Sequence, residues 1–144
     1  MTKVKRKIIN QKPMVRIDKK AKKPKFSYRF IFIPETIGAI AYLHKNLELM
    51  KRRTKAGFIL TCVGDDLCYS FLESKFKNSI ADQVARHVLD KMNIDYKLYS
   101  FLERGSDERQ YSSPGIDIPF CSVMRSKYGE FDEYHTSLDN LDFI

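Results

Sequence analysis

Long apolar runs are missing from this sequence, and no stretch approaches the ~18 residues that a membrane-spanning helix requires. Cysteine is scarce. Cys62, Cys68 and Cys121 are an odd number without a Cys-x-x-Cys pair, which fits reduced thiols better than a disulfide framework. Free cysteines of this kind behave as small buried hydrophobes, and with no histidine near them in sequence none reads as a nucleophile. Internal repeats are absent too. The N-terminal residues lack a secretory leader pattern, because one basic stretch runs into another rather than into an apolar segment. Together these absences set the expectation of a cytoplasmic protein with no membrane span.

What is present suits one globular domain. The chain has 144 residues, 43% of them hydrophobic, with 10 Phe and 8 Tyr, enough for a single core. Its formal net charge of +8 is unevenly placed. Residues 1–25 hold eleven Lys and Arg against Asp18 alone, while the remainder is close to neutral and slightly acidic. Like-charged runs of this sort stay solvated. Residues 1–25 are therefore expected to be a disordered basic arm, and 26–144 the folded body. Phosphate contacts are the obvious use of such an arm, yet no aromatics interleave with its charges, so a nucleic-acid partner is not expected.

Within the body, helical and extended patterns alternate. Residues 26–33 (Phe-Ser-Tyr-Arg-Phe-Ile-Phe-Ile) are rich in β-branched and aromatic side chains and stop at Pro34, which predicts a buried strand. Residues 36–50 predict a helix with its apolar stripe at Ile37, Ile40, Ala41, His44 and Leu47. Strands follow at 56–63 and 67–72. A second helix over 79–92 opens on Ser79-x-x-Asp82, a capping-box pattern, with Ile80, Val84 and Val88 on one face. Further strands are predicted at 96–101 and 118–124. His44 falls on an apolar stripe and reads as a core or edge histidine, and His87 is given no role. The alternation implies an α/β fold, a mostly parallel sheet with flanking helices. In such sheets ligands bind beyond the carboxyl ends of the strands.

Four segments near predicted strand ends carry the polar residues of interest. They are Pro34-Glu35-Thr36-Ile37-Gly38, Thr61-Cys62-Val63-Gly64-Asp65, Ser106-Asp107-Glu108-Arg109-Gln110-Tyr111, and Tyr134-His135-Thr136-Ser137-Leu138-Asp139. A Glu at a helix start can simply complement the helix dipole, and a Gly-Ser-Asp can be a capped turn. His135, in a polar loop away from any apolar stripe, is better placed to ligate a metal.

In this order the segments resemble the C-terminal half of the zinc-dependent aminopeptidase and glutaminyl-cyclase superfamily. There a strand leads into a Glu-Glu-x-Gly-Leu corner, a later turn reads Ser-Asp-His, and the last metal ligand sits in Tyr-His-Thr-x-x-Asp. The chain resembles still more closely a bacterial aminopeptidase-like family found in polysaccharide-biosynthesis loci. The likeness runs over 26–144. It implies an incomplete phosphorylase/hydrolase-like, zinc-peptidase three-layer domain. It also implies Glu35 as the catalytic base that takes a proton from metal-bound water, and His135 as a zinc ligand. Asp107, Arg109, Tyr111 and Tyr134 would bind substrate or support the residues that do, Arg109 by gripping a carboxylate.

The departures are specific. The superfamily's second Glu, a metal ligand, is Thr36 here, and its next Asp is replaced at or near Thr61. The first His and the bridging Asp have no counterpart in the basic arm. One zinc is therefore the most that the resemblance allows, and His135 is its single ligand from this chain. The expectation is a zinc-dependent, aminopeptidase-like hydrolase acting on an amide or peptide bond. It would be truncated or split, and completed by a separately encoded N-terminal half or a homo-oligomer. The alternative is a non-enzymatic remnant or binding module whose basic arm contacts anionic partners.

Overall fold

A computed structural model describes residues 25–143. The chain divides after Phe32 into two units, Met1–Phe32 and Ile33–Ile144. Of the first, residues 25–32 are described. The expectations placed on 1–24 lie outside the described residues.

The predicted strand at 26–33 does not form; these residues carry no regular secondary structure. Their composition favours an extended chain, but a strand exists only through its ladder of hydrogen bonds. No strand pairing is assigned to them, and Phe26, Tyr28, Phe30 and Phe32 are exposed.

The second unit is α/β. In chain order it contains α1 (Ile37–Arg53), β1 (Gly57–Leu60), β2 (Tyr69–Leu72), α2 (Ile80–Lys91), β3 (Tyr96–Tyr99), a 3-10 turn (Phe101–Glu103), the single-turn α3 (Glu108–Tyr111) and β4 (Phe120–Met124). All four strands belong to one sheet in the order β1-β4-β2-β3. The outer pairings β1–β4 and β2–β3 are parallel, whereas β2 runs antiparallel to β4 with Leu72 opposite Ser122. The sheet is mixed, so β1 and β4 share one carboxyl end while β2 and β3 share the opposite one.

Alternation along the strands assigns two faces. Phe120 packs with α1 residues Ala39, Leu43 and Met50, and with Tyr111 and Ile118. Its neighbour Cys121 points the other way, into a cluster of Phe71 with Ala81, Ala85 and Leu89 of α2. Helices therefore cover both faces of the sheet. α2 begins as its sequence predicts, with Ser79 as N-cap and the reciprocal Ser79–Asp82 capping box formed.

The buried faces of both helices differ from expectation. In α1, Ile37, Ile40, Ala41 and His44 are exposed and Leu47 is half-buried, while Ala39, Leu43 and Met50 face the core. In α2, Ile80, Val84 and Val88 are exposed, and Ala81, Asp82, Ala85 and Leu89 are buried. Each helix carries two apolar stripes; in α2 the one against the sheet bears Ala81 and Ala85, whose small side chains let the backbones approach, and in α1 it bears Ala39 with Leu43 and Met50. No described helix is long and apolar enough to cross a membrane.

One close approach fixes the α1 side of the sheet. A Cβ added to Gly57 would lie 2.3 Å from Cζ of Phe120, its register partner. Phe120 in turn stacks on Tyr111 with centroids 4.1 Å apart and planes at 10°. Gly57→Ala must push this ring off Tyr111, an overpacking strain of about 1–3 kcal/mol. The urea midpoint is expected to fall accordingly, and an unchanged midpoint would contradict the packing.

Candidate functional site

The corner Pro34-Glu35-Thr36-Ile37-Gly38 enters α1 through a tight turn. The Ile37 amide donates to the Glu35 carbonyl at 2.7 Å, and Thr36 has φ 60° and ψ −71°. That is a γ-turn of the strained, positive-φ kind, here centred on a β-branched residue. Such a conformation costs on the order of 1–3 kcal/mol and persists only where its surroundings impose it. Gly38 is required sterically, since a Cβ there would meet Cβ of Ile33 at 2.7 Å and Cδ of Pro34 at 3.0 Å.

What imposes the turn comes from 71 residues downstream. The Thr36 amide donates to Oδ1 of Asp107 at 2.6 Å, and the Ser106 hydroxyl donates to Oε1 of Glu35 at 2.5 Å. Arg109 is exposed; its Nε donates to the Ser106 carbonyl at 3.1 Å, and its Nη2 reaches Oγ1 of Thr36 at 3.5 Å. Glu35 itself is exposed, and Asp107 is buried behind it. The structure thus brings together Glu35, Asp107 and Arg109. Ser106 joins them, a residue that the sequence had shown only as part of a turn.

The Asp107 carboxyl is pushed up from its ordinary value, chiefly because burial disfavours its charge. Glu35 and Glu108 add repulsion, while the Thr36 amide bond and Arg109 pull the other way. A carboxyl whose folded pKa is raised holds more protons folded than unfolded between the two pKa values. Stability therefore falls as pH rises through that window, and the penalty is absent below the unfolded value. Asp107→Asn keeps an oxygen for the Thr36 amide and removes the charge. Its thermal midpoint is expected above that of the parent at pH 7, converging with it near pH 3, below the ~3.9 of an unperturbed Asp. A variant no more stable than the parent at pH 7 would contradict this account.

Tyr134 stands beside the corner. Its phenol is pushed up, first by burial and then by Cys62 and Glu35, with Arg109 opposing. His135, exposed and at φ 59°, stacks on the Tyr134 ring with centroids 3.8 Å apart. Phe131 meets Tyr134 edge-on at 5.5 Å and stacks on Phe143 at 5.7 Å, and these contacts hold a run of consecutive turns. Tyr111 is different. Buried against Phe120, it is a core ring whose phenol is raised to about 12 by burial, with Asp107 among the charges acting on it.

The loops leaving β1 and β4 close the carboxyl end of that strand pair. The Arg125 amide donates to the Cys62 carbonyl at 2.9 Å, and buried Asp65 accepts from the Ser126 amide and hydroxyl at 3.0 and 2.7 Å. The three cysteines are free; Cys121 is buried, and Cys62 is half-buried, with its thiol raised by burial and by the nearby Glu35. Among the described residues no three His, Cys, Asp or Glu side chains come together as a metal site. A catalytic zinc takes about three protein ligands, so the described residues do not by themselves fit the ion that the sequence resemblance implies.

Residues 12–144 match the family described as "Domain of unknown function (DUF4910)". A protein of Clostridium acetobutylicum named "Putative polysaccharide biosynthesis protein with aminopeptidase-like domain" is 47% identical over 122 residues, 85% of this chain. The chain spans only 28% of that relative's length. A crystal structure titled as that of a "putative peptidase" from the same organism superposes with a TM-score of 0.71 at 44% identity, covering 77% of this chain and 26% of the other. The sequence is thus similar to a protein named for an aminopeptidase-like domain, and the fold to one named a peptidase. With the match covering nearly all of its length, the chain belongs to the DUF4910 domain family.

Proposed function

We propose that this chain supplies the general base and one wall of the substrate cleft of a peptidase-like hydrolase that cleaves an amide or peptide bond. The observation that carries this reading is the pinned corner, in which the Ser106 hydroxyl holds Glu35 at 2.5 Å while the Thr36 amide is fixed to Asp107. A base must be positioned before it can be matched in pKa to its task. An exposed carboxylate on a strained, externally braced turn meets that demand. In this reading Glu35 accepts a proton from the water that attacks the amide carbonyl. Arg109 pairs with a carboxylate of the substrate, and Tyr134 borders the cleft.

One zinc ion is part of the proposal only in combination. His135 offers one imidazole, and the other ligands come from a separately encoded half or a second copy. The amide belongs to a peptide or is attached to a sugar. The polysaccharide-biosynthesis name of the relative favours a place in such a locus, and the proposed setting is the cytoplasm.

The test is complementation. The chain is co-expressed with the segments of the Clostridium acetobutylicum relative outside the matched 122 residues, and the purified complex is assayed for zinc and for hydrolysis of aminoacyl arylamides. Stoichiometric zinc lost in His135→Ala, together with hydrolysis, is the expected result. A complex that holds zinc and cleaves no amide would leave the reading of a binding module in its place.

A further inference from the structure

Behind the pinned corner lies a carboxylate that the reaction above does not use. Glu108 opens α3 and is fully buried. Its Oε1 accepts from the Gly105 amide at 2.8 Å, the Ser106 amide at 2.9 Å and the Tyr128 hydroxyl at 3.3 Å. Its Oε2 accepts from the hydroxyl of Ser122 in β4 at 2.9 Å. Four donors from three parts of the chain converge on one side chain. Gly105 completes the fit, since a Cβ there would lie 2.5 Å from Cε2 of Tyr128.

We infer that Glu108 is the positioning residue for the catalytic corner, and this rests on Glu35 being the base. The chain of contact is short. Glu108 fixes the Gly105 and Ser106 amides against β4 and Tyr128, and so fixes the turn that carries Ser106 and Asp107. The forward side of that turn makes the two bonds that hold Glu35 and the strained Thr36 peptide. A buried carboxylate costs free energy unless its lone pairs are satisfied. Simple α3 formation does not call for one here, because α3 is a single turn. Its placement makes sense as a rigid link from β4 of the sheet to a turn that must not drift. The Glu108 carboxylate touches no candidate substrate group, so its effect on chemistry passes through Ser106 and Asp107.

The test reads the corner directly. The 13C shift of the Glu35 carboxyl and the 1H shift of the Thr36 amide are followed in the chain and in Glu108→Ala, Glu108→Gln and Ser106→Ala. In Glu108→Ala the Glu35 resonance is expected to move as far as it does in Ser106→Ala, and combining the two changes should move it no further. Glu108→Gln should restore both resonances to the parent positions. Its amide oxygen can still accept from Gly105 and Ser106, and its NH2 can donate to a Ser122 hydroxyl that simply rotates. A folded Glu108→Ala with parent-like Glu35 and Thr36 shifts overturns the inference. If Glu108→Ala does not fold, Ser122→Ala with Tyr128→Phe removes two of the four donors. Displacement of the same two resonances then supports the inference, and its absence overturns it. None of these readouts needs turnover. If the complex hydrolyses no amide while Glu108→Ala still displaces Glu35, the hydrolase reading fails and the positioning role stands; active complex with an undisplaced Glu35 gives the reverse.

Discussion

Phe71→Ala should cost the second unit about 3–5 kcal/mol and lower its urea midpoint sharply. Phe71 is fully buried on the α2 side of the sheet, packed with Ala81, Ala85, Leu89 and Cys121. Its ring meets Tyr96 edge-on at 6.3 Å, and the Arg86 guanidinium sits 5.2 Å from its centroid. Truncating such a ring costs about 3–5 kcal/mol, from lost transfer energy and from the cavity left behind. Domains of this size hold only about 5–15 kcal/mol in total. The alanines that let α2 approach the sheet make the loss worse, because Ala81 and Ala85 have no side chain to swing into the gap. Phe76, about half exposed, provides the comparison: Phe76→Ala should cost little. Urea unfolding followed by circular dichroism decides the matter. A Phe71→Ala midpoint indistinguishable from that of Phe76→Ala would show that this face is not the core.

Residues whose structure is decided locally were legible in the sequence. Ser79 and Asp82 form their capping box because both partners lie within one turn. The order of the two long helices and four strands was legible for the same reason; the 3-10 turn and α3 were not, and at 26–33 composition promised a strand that is not paired among the described residues. The faces of α1 and α2 were not legible. Periodicity finds an apolar stripe, but with two stripes per helix the choice depends on how closely the backbone must approach the sheet, which is a tertiary property. The site shows the same divide. Glu35, Asp107 and Arg109 were marked by motifs that resemble those of the aminopeptidase superfamily, whereas nothing local says that Thr36 adopts positive φ; a β-branched residue argues against it. The brace arrives from Asp107, 71 positions away. Glu108 left one trace, its spacing of three from Gly105, the interval at which a glutamate reaches back to an amide at a helix start. Its burial under Tyr128 and Ser122 left none.

Glu35→Gln in the complemented protein should lower kcat by about 10²–10⁴, the usual contribution of a positioned general base. The substitution is chosen to separate chemistry from architecture. The glutamine side-chain oxygen still accepts from the Ser106 hydroxyl, so the corner keeps its bond while the carboxylate that would take the water's proton is gone. KM should change little, because Arg109 and Tyr134 keep their positions. Zinc content should also be unchanged, because in the proposed scheme His135, not Glu35, contributes the ligand. Ser106→Ala supplies the complementary case: the carboxylate remains but loses its 2.5 Å partner. Its kcat should fall less than in Glu35→Gln, and Ser106→Ala added to Glu35→Gln should cost nothing further, since a misplaced amide is no worse a base than a well-placed one. Additive losses would mean that Ser106 acts on the substrate rather than through Glu35. Undiminished kcat in Glu35→Gln would remove Glu35 from the mechanism and leave the braced corner as architecture alone.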